Sequence, residues 1–151
     1  MKQPFSDLDV IRTRARSDLS NGAVTGAYQA DRARVVEALN EVLATVITLG
    51  LGCREYGFGS ERSRVRELAG CFKHHANRQQ ELGDRLAERI VQLRGQPTMR
   101  PEELLARSHV SLPHTTRTEE MVRETLVAAR IQIETLCAVA RWIGDQDLST
   151  R

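Results

Sequence analysis

The sequence predicts an all-α protein: a bundle of three long antiparallel helices preceded by one short helix. Apolar residues recur at steps of three and four in four separate segments of the 151-residue chain. Strand-length alternation of apolar and polar residues is absent from the sequence, and aromatic residues make up only 4% of it. The 40% apolar share is mostly Leu, Val, Ala and Ile, a composition that suits helices packed on helices. A chain of this length is expected to form one domain.

The first predicted helix is short and runs from about Asp7 to Leu19. Ser6, with Asp9 three residues later, forms an N-terminal capping pattern. Asn21-Gly22 is the signal that ends the helix. The apolar residues of one helical face are Leu8, Ile11, Ala15 and Leu19.

The first long helix begins near Asp31, and its far end is rich in glycine. Its apolar face carries Val36, Leu39, Leu43, Val46 and Cys53. Each glycine in a helix interior costs up to about 1 kcal/mol relative to alanine. We therefore expect fraying or a kink in the segment that contains Gly50, Gly52, Gly57 and Gly59.

The second long helix runs from about Ser60 to Leu93 and stops at Gly95 and Pro97. Its inward stripe includes two polar residues, His75 and Gln79, in a line of core positions. The full stripe is Val65, Leu68, Phe72, His75, Gln79, Leu82, Leu86, Ile90 and Leu93.

A long connection, Gln96 to His114, separates the second long helix from the third and includes one turn of helix at about Glu102 to Ala106. The third long helix runs from about Thr118 to Ile143 and is capped by Gly144. Its predicted inward residues are Val122, Leu126, Ala129, Ile133, Leu136, Ala140 and Ile143. Residues 1–151 thus divide into a helix and arm (1–30), a three-helix core (31–144) and a tail (145–151).

Several short strings along the chain resemble one known family. They are NEVLAT at 40–45, HHAN at 74–77, LAERIVQLRGQP at 86–97, RSH at 107–109 and LVAARI at 126–131. Taken together, from about Ile11 to Gly144, they resemble the ferritin-like superfamily, in particular its bacterioferritin-like and Dps-like members. The resemblance implies a ferritin-like antiparallel helix bundle.

The same resemblance maps the ligands of the family's di-iron site onto this chain. In that family, two helices each supply one Glu, and each of the other two supplies a Glu-x-x-His pair. The resemblance places the first Glu on Val46, the first pair on Gln79 and Leu82, and the third-helix Glu on Ala129. The second pair would lie beyond Arg151. The resemblance therefore implies former ligand positions, no catalytic residue and no bound metal.

Two further points concern cofactors. An uncharged Gln79 amide cannot balance the charge of a ferrous–ferric pair. Haem-binding members have a methionine where this chain has Gln80, so haem binding is not supported. Iron remains the alternative cofactor.

His75, Gln79 and Glu134 are the candidate polar-core or metal-binding residues. His75 lies one turn before Gln79 and is within reach of it, and Glu41 and Glu134 are further carboxylates that a histidine could contact. The favoured interpretation of His75 is a hydrogen-bonded core or groove histidine, because a lone imidazole without acidic neighbours rarely holds a metal. The alternative is residual iron binding through these side chains or through a partner chain.

Charge and cysteine content exclude several other classes of protein. The 22 Lys and Arg residues nearly balance 20 Asp and Glu residues, and Arg12, Arg14 and Arg16 are offset by Asp7, Asp9 and Asp18, so nucleic-acid binding is the least favoured alternative. The three cysteines follow no C-x-x-C pattern and are predicted to be buried and reduced. The sequence shows neither a signal-peptide-like run nor a segment approaching about 20 apolar residues, so we expect a soluble, cytoplasmic protein without a membrane span.

The function predicted from the sequence is that of a degenerate ferritin-like protein, without catalysis, serving as a structural or oligomerising module. Three long helices would leave one apolar groove uncovered, and a large apolar patch usually marks an interface. We therefore expect at least a homodimer, in which another chain closes the groove around Leu43, Leu82 and Leu136.

Overall fold

A computed structural model describes residues 8–17, 31–61 and 66–148 of the chain. These residues form five helices and no strand, which confirms the predicted all-α fold class. The predicted cap at Ser6, the helix end at Leu19 and the stripe residue Val65 lie outside the described residues. The helices are α1 (Leu8–Ser17), α2 (Arg32–Glu61), α3 (Arg66–Gln92), α4 (Pro101–Arg107) and α5 (Thr118–Leu148).

Helix α2 is the centre of the bundle and begins at a side-chain cap. The Asp31 carboxylate accepts hydrogen bonds from the backbone N–H groups of Ala33 and Arg34, at 3.0 and 3.3 Å, and so satisfies two donors that the first turn leaves free. Helix α2 packs on α3 and also on α4 and α5, whereas α3 and α5 form no comparable helix pair within the described residues. The bundle therefore depends on α2 to hold its other long helices together.

The two long neighbours of α2 both run antiparallel to it. At one end of α2, Glu61 pairs with Lys73 near the start of α3, and at the other end Val36 lies against Gly95, just after α3. Similarly, α5 begins beside the carboxyl-terminal part of α2 and ends near its start, where the Arg34 guanidinium lies over the Trp142 ring. It follows that α3 and α5 are parallel to each other.

The predicted fraying or kink at the glycine-rich end of α2 is wrong, because the helix is continuous from Arg32 to Glu61. The glycines lie where neighbouring segments approach closely. A Cβ atom at Gly52 would lie 2.1 Å from Leu112 Cδ1, and one at Gly50 would lie 3.1 Å from Gln79 Cβ. Contacts of this kind with the connection and with α3 offset the low helix propensity of glycine. The predicted start of the next helix near Ser60 is also wrong, since Ser60 belongs to α2.

Helix α3 ends in a left-handed turn. Arg94, rather than Gly95, adopts the positive φ of 60°, and the Gly95 N–H donates to the Ile90 carbonyl at 2.9 Å. A Cβ atom at Gly95 would lie 2.4 Å from Val36 Cγ1. Glycine is therefore required here by the close approach of α2 and not by its own backbone angle.

The inward face of α5 differs from the predicted one. Leu126 and Ile133, predicted inward, are 66% and 60% exposed, whereas Ala128 and Gln132 are buried. Helix α5 also continues through Gly144 to Leu148 and does not end at Ile143. Val122 and Ile143, near the two ends of the predicted stripe, do pack against the core clusters of Tyr56 and Val35, but Leu126 and Ile133 in its middle do not face the core.

The connection between α3 and α5 is bonded to α2 along its length. The Asn40 side chain donates to the Gln96 carbonyl at 3.2 Å and accepts from the Thr98 N–H at 3.0 Å. Further along, the Tyr56 hydroxyl donates to the Pro113 carbonyl at 2.6 Å. These bonds hold the connection against α2 while it returns the chain to the end at which α5 begins.

Only one of the three cysteines is buried as predicted. Cys53 lies in the central core with Leu49, Ala76 and Ala128, and burial raises the pKa of its thiol to about 11. A thiol with so high a pKa is protonated and unreactive at neutral pH. For Cys71 and Cys137 the prediction of burial is wrong, because both are exposed free thiols.

Helix α2 is long and apolar enough to cross a membrane by length and composition alone. The prediction that no segment approaches this length and composition is therefore wrong for Arg32–Glu61. Half of its most apolar window is buried inside the molecule. The central place of α2 among α3, α4 and α5 accounts for this apolar character.

Candidate functional site

Three polar side chains meet between α3 and α5. The Gln132 amide nitrogen donates to Gln79 Oε1 at 2.6 Å, and Gln79 Nε2 lies 3.3 Å from His75 Nε2. Both glutamines are only 6% exposed, and His75 is half-buried. We call these three residues the amide network. It explains the two polar residues in the apolar stripe of α3, because each finds a hydrogen-bond partner inside the bundle.

The amide network is electrically neutral. Burial, and in second place the charge on His74, lowers the pKa of His75 below its usual value. Because Gln79 Oε1 accepts from Gln132, the Gln79 nitrogen is left to donate to a neutral His75 ring. A protonated ring would direct an N–H group at that nitrogen and lose the contact.

Acid is therefore expected to destabilise the wild type more than a His75→Gln variant. With a folded-state pKa below 6.5, the unfolded chain binds a proton in a pH range where the folded chain does not. The resulting loss of stability is absent well above pH 6.5, grows as the pH falls through 6.5, and is complete below the folded-state pKa. Urea unfolding of both proteins from about pH 8 to about pH 5 measures this effect. A stability difference that stays constant across the range contradicts it.

Gln132 is the member of the network that sequence reasoning missed. It lies one turn after Ala129, the position that the resemblance assigns to the third-helix ligand. The predicted α5 stripe passed through Ile133, which put Gln132 toward solvent. The sequence did contain one signal that Gln132 is buried. It stands between Ile131 and Ile133, and a single amide between two isoleucines is unusual on a solvated helix face.

The other mapped positions do not join the amide network. Val46 is fully buried in the seam between α2 and α3, facing Gly83 beside Leu43. Leu82 and Ala129 are half-buried. Of the four mapped positions, Gln79 alone contributes a polar group to the interior.

These residues do not fit a di-iron centre. The mapped positions supply one neutral amide oxygen and no carboxylate, whereas an iron pair requires anionic oxygen ligands. In the described ranges, no group of three or more His, Cys, Asp or Glu side chains is arranged to hold a metal ion. The amide network adds one imidazole nitrogen and a second neutral amide.

Glu134 lies away from the amide network, on the opposite side of α5. It accepts a hydrogen bond from Arg130 at 3.2 Å and lines a shallow depression of about 610 Å³ between α2 and α5. Glu41 and His109 line the same depression, with 3.7 Å between Glu41 Oε2 and His109 Nε2. The structure thus brings His75 to Gln79 but places both candidate carboxylates elsewhere.

Gln80, the position compared with the haem-binding methionine, is exposed. Its amide oxygen accepts a hydrogen bond from Arg54 at 3.1 Å on the outer surface of α2 and α3. The side chain is thus already engaged with a cation and is not a soft sulfur ligand of the kind a haem iron would take.

Comparison with known families matches the ferritin-like domain to residues 36–151. The chain belongs to the ferritin-like family. The match covers most of the chain and includes the amide network and all the mapped positions. No curated protein matches the chain. The molecule has the helical bundle expected of a ferritin-like domain. In its interior, two amide side chains are hydrogen-bonded to each other between α3 and α5.

Proposed function

We propose that this chain is a degenerate ferritin-like protein of the bacterioferritin-like and Dps-like branch that does not oxidise or store iron. In this proposal, the protein serves as a structural or oligomerising module. The observation that carries the proposal is the 2.6 Å hydrogen bond between Gln132 and Gln79, which joins two neutral amides at the ligand face implied by the resemblance.

The bonding within the network supports loss of the iron chemistry. A ligand must offer its lone pair to the metal, but Gln79 Oε1 already accepts a hydrogen bond from Gln132, and His75 Nε2 already faces the Gln79 nitrogen. Iron binding would have to break both contacts and would gain no anionic charge in return. The three side chains of the amide network therefore already have hydrogen-bond partners in one another.

One observation favours an alternative, in which the protein still binds iron. His75 and Gln79 lie within 3.3 Å of each other and place one nitrogen and one amide in the interior. A partner chain that added carboxylates beside them would create a mixed ligand set suited to iron.

The nucleic-acid alternative gains no support from α1. Arg12 lies 3.5 Å from Asp9 on the same helix, and both side chains are exposed. An acid one turn away reduces the local positive potential that a phosphate backbone would require.

The proposal predicts that ferrous iron oxidises no faster with this protein than in buffer. The measurement is the absorbance of the ferric product in air at slightly acidic pH, where the uncatalysed reaction is slow. An active ferroxidase assayed in parallel shows that the assay would detect catalysis. Saturable oxidation near two irons per chain would contradict the proposal, and loss of that activity in His75→Ala and Gln79→Ala variants would assign it to the alternative.

A further inference from the structure

A cavity of about 570 Å³ lies between α3 and α5, on one side of the amide network. The network closes the space between the two helices at Gln79 and Gln132, which are hydrogen-bonded to each other and only 6% exposed. The cavity begins at His75, one turn before Gln79, and lies along the amino-terminal halves of both helices. Leu43, predicted to border an open groove, is fully buried, so that part of the prediction is wrong. We call this space the Phe72 cavity.

The walls of the Phe72 cavity are almost wholly apolar and belong to the core. They are formed by Leu68, Phe72, Val122 and Leu126. The buried Phe72 ring meets the Tyr56 ring edge to face, with 5.8 Å between the ring centroids. Leu68 and Val122 pack against the same core cluster. The cavity is therefore pre-formed, and its volume lies in the range of roughly 300–1,000 Å³ that is usual for small-molecule sites.

His75 brings a hydrogen-bond donor to this cavity. The Gln79 nitrogen donates to His75 Nε2, so the neutral ring carries its own proton on Nδ1. Within the described part of the chain, His75 Nδ1 has no hydrogen-bond partner. Thr125, a second polar residue of the lining, already donates its hydroxyl proton to the Met121 carbonyl at 2.8 Å. The cavity thus combines apolar walls with an unused N–H group.

We propose that the Phe72 cavity binds a small apolar molecule that carries one neutral hydrogen-bond acceptor, such as the carbonyl oxygen of an aromatic ketone. Phe72 and Leu126 contact the apolar body of the ligand, and the His75 Nδ1–H donates to its oxygen. A mostly apolar cavity with a few placed polar groups is the usual form of a small-molecule site. This proposal goes beyond the proposed function, and neither of the two depends on the other.

The charges at the cavity favour a neutral ligand. Glu67 is exposed and belongs to the lining, so its carboxylate repels an anion. A cation would leave water for a space in which His75 offers a donor and not an acceptor. An apolar body with a single carbonyl oxygen meets neither penalty.

Fluorine NMR with two probes of the same shape tests the proposal. One is para-fluoroacetophenone, which has an acceptor oxygen, and the other is para-fluorocumene, which has a methyl group in its place. We expect both probes to bind the wild type. In His75→Phe, the dissociation constant of the ketone should rise about 3–10-fold, because one hydrogen bond is lost, and that of the hydrocarbon should change by less than about twofold. Circular dichroism melts check that the variant is folded.

Two adjacent residues of α5 form a matched pair of variants that locates the site. Leu126 lines the cavity and is 66% exposed, whereas Val127 is 49% exposed and points in another direction, one helical step further on. A carboxylate in the wall would have to lose water when an apolar ligand enters. Leu126→Glu should therefore weaken binding of both probes about tenfold or more, and Val127→Glu should leave it unchanged.

The alkylation rate of Cys71 provides a second measurement. Cys71 lines the cavity and is exposed, whereas Cys53 is buried and reports whether the protein stays folded. In a Cys137→Ser background, the ketone should slow alkylation of Cys71 by iodoacetamide, with half of the effect at the dissociation constant that NMR gives. Leu126→Glu should remove this protection.

Three results would overturn the proposal. If neither probe binds up to its solubility limit and Cys71 is not protected, the cavity is not a binding site. Equal affinity of the ketone for wild type and His75→Phe would remove the donor on which the choice of ligand rests. Binding that survives Leu126→Glu would place the probes elsewhere on the molecule. The Leu126 and Cys71 measurements decide the location of the site even if His75→Phe does not fold.

Discussion

A Val46→Glu substitution, which restores the first carboxylate implied by the family resemblance, is expected to destabilise the protein by roughly 3–5 kcal/mol. Val46 is fully buried in the seam between α2 and α3, where its methyl groups face Gly83. A carboxylate there replaces a methyl group packed beside Gly83 and Leu43, so it is either ionised in an apolar seam or forced to remain protonated. Against a total stability of about 5–15 kcal/mol, such a loss brings the variant close to unfolding.

The effect of ferrous iron on the stability of this variant distinguishes the proposed function from the iron-binding alternative. Under the proposed function, ferrous iron does not restore stability, because the other mapped positions, Gln79, Leu82 and Ala129, supply no second carboxylate. Under the iron-binding alternative, the new ligand would raise the melting temperature of the variant in ferrous iron by linkage. Anaerobic melts of wild type, Val46→Glu and the uncharged Val46→Gln control decide the matter. A clear iron-dependent rise in melting temperature that is confined to Val46→Glu would contradict the proposed function.

Breaking the amide network from one side is expected to cost about 1–3 kcal/mol. In Gln132→Leu, Gln79 Oε1 loses the donor that lies 2.6 Å away and is left buried without its partner. Removing both amides should be milder than the sum of the single changes, because two apolar side chains of similar shape leave no polar atom unpaired. Urea unfolding of Gln132→Leu, Gln79→Leu and the double variant measures this coupling.

Additive losses in the double variant would show that the two amides do not interact in solution. His75→Ala is a useful companion, because it removes only the weaker, 3.3 Å contact of the network. It should cost less than Gln132→Leu if the bond between the two amides is the dominant one.

The helices could be predicted from the sequence because their apolar residues recur at helical steps. Such a repeat remains recognisable even where single positions, such as His75 and Gln79, are polar. The continuity of α2 could not be predicted, because its glycines are disfavoured by propensity alone. What offsets that cost is the close approach of Leu112 and Gln79, and such contacts are fixed only when the connection and α3 are in place.

The register of α5 was beyond sequence reasoning for a related reason. Helix α5 has two apolar faces, one with Ala128 in the core beside Leu49 of α2 and one with Leu126 and Ile133 exposed. Periodicity identifies both faces but does not say which of them faces the core. Choosing the wrong face of α5 also meant that the burial of Gln132 was missed. The contact of His75 with Gln79 was predictable, because one helical turn separates the two residues.

The order of helices around α2 also bears on how the chain folds. Helices α2 and α3 follow each other directly in sequence and make an antiparallel pair, so most of their contacts are relatively local. Helix α5 can join α2 only after the chain between Gln92 and Thr118 has returned along the bundle, which requires loop closure before any contact forms. Contacts of low sequence separation form fastest. The topology thus makes α2 and α3 the natural nucleus of folding, with α5 docking last onto a helix pair already in place.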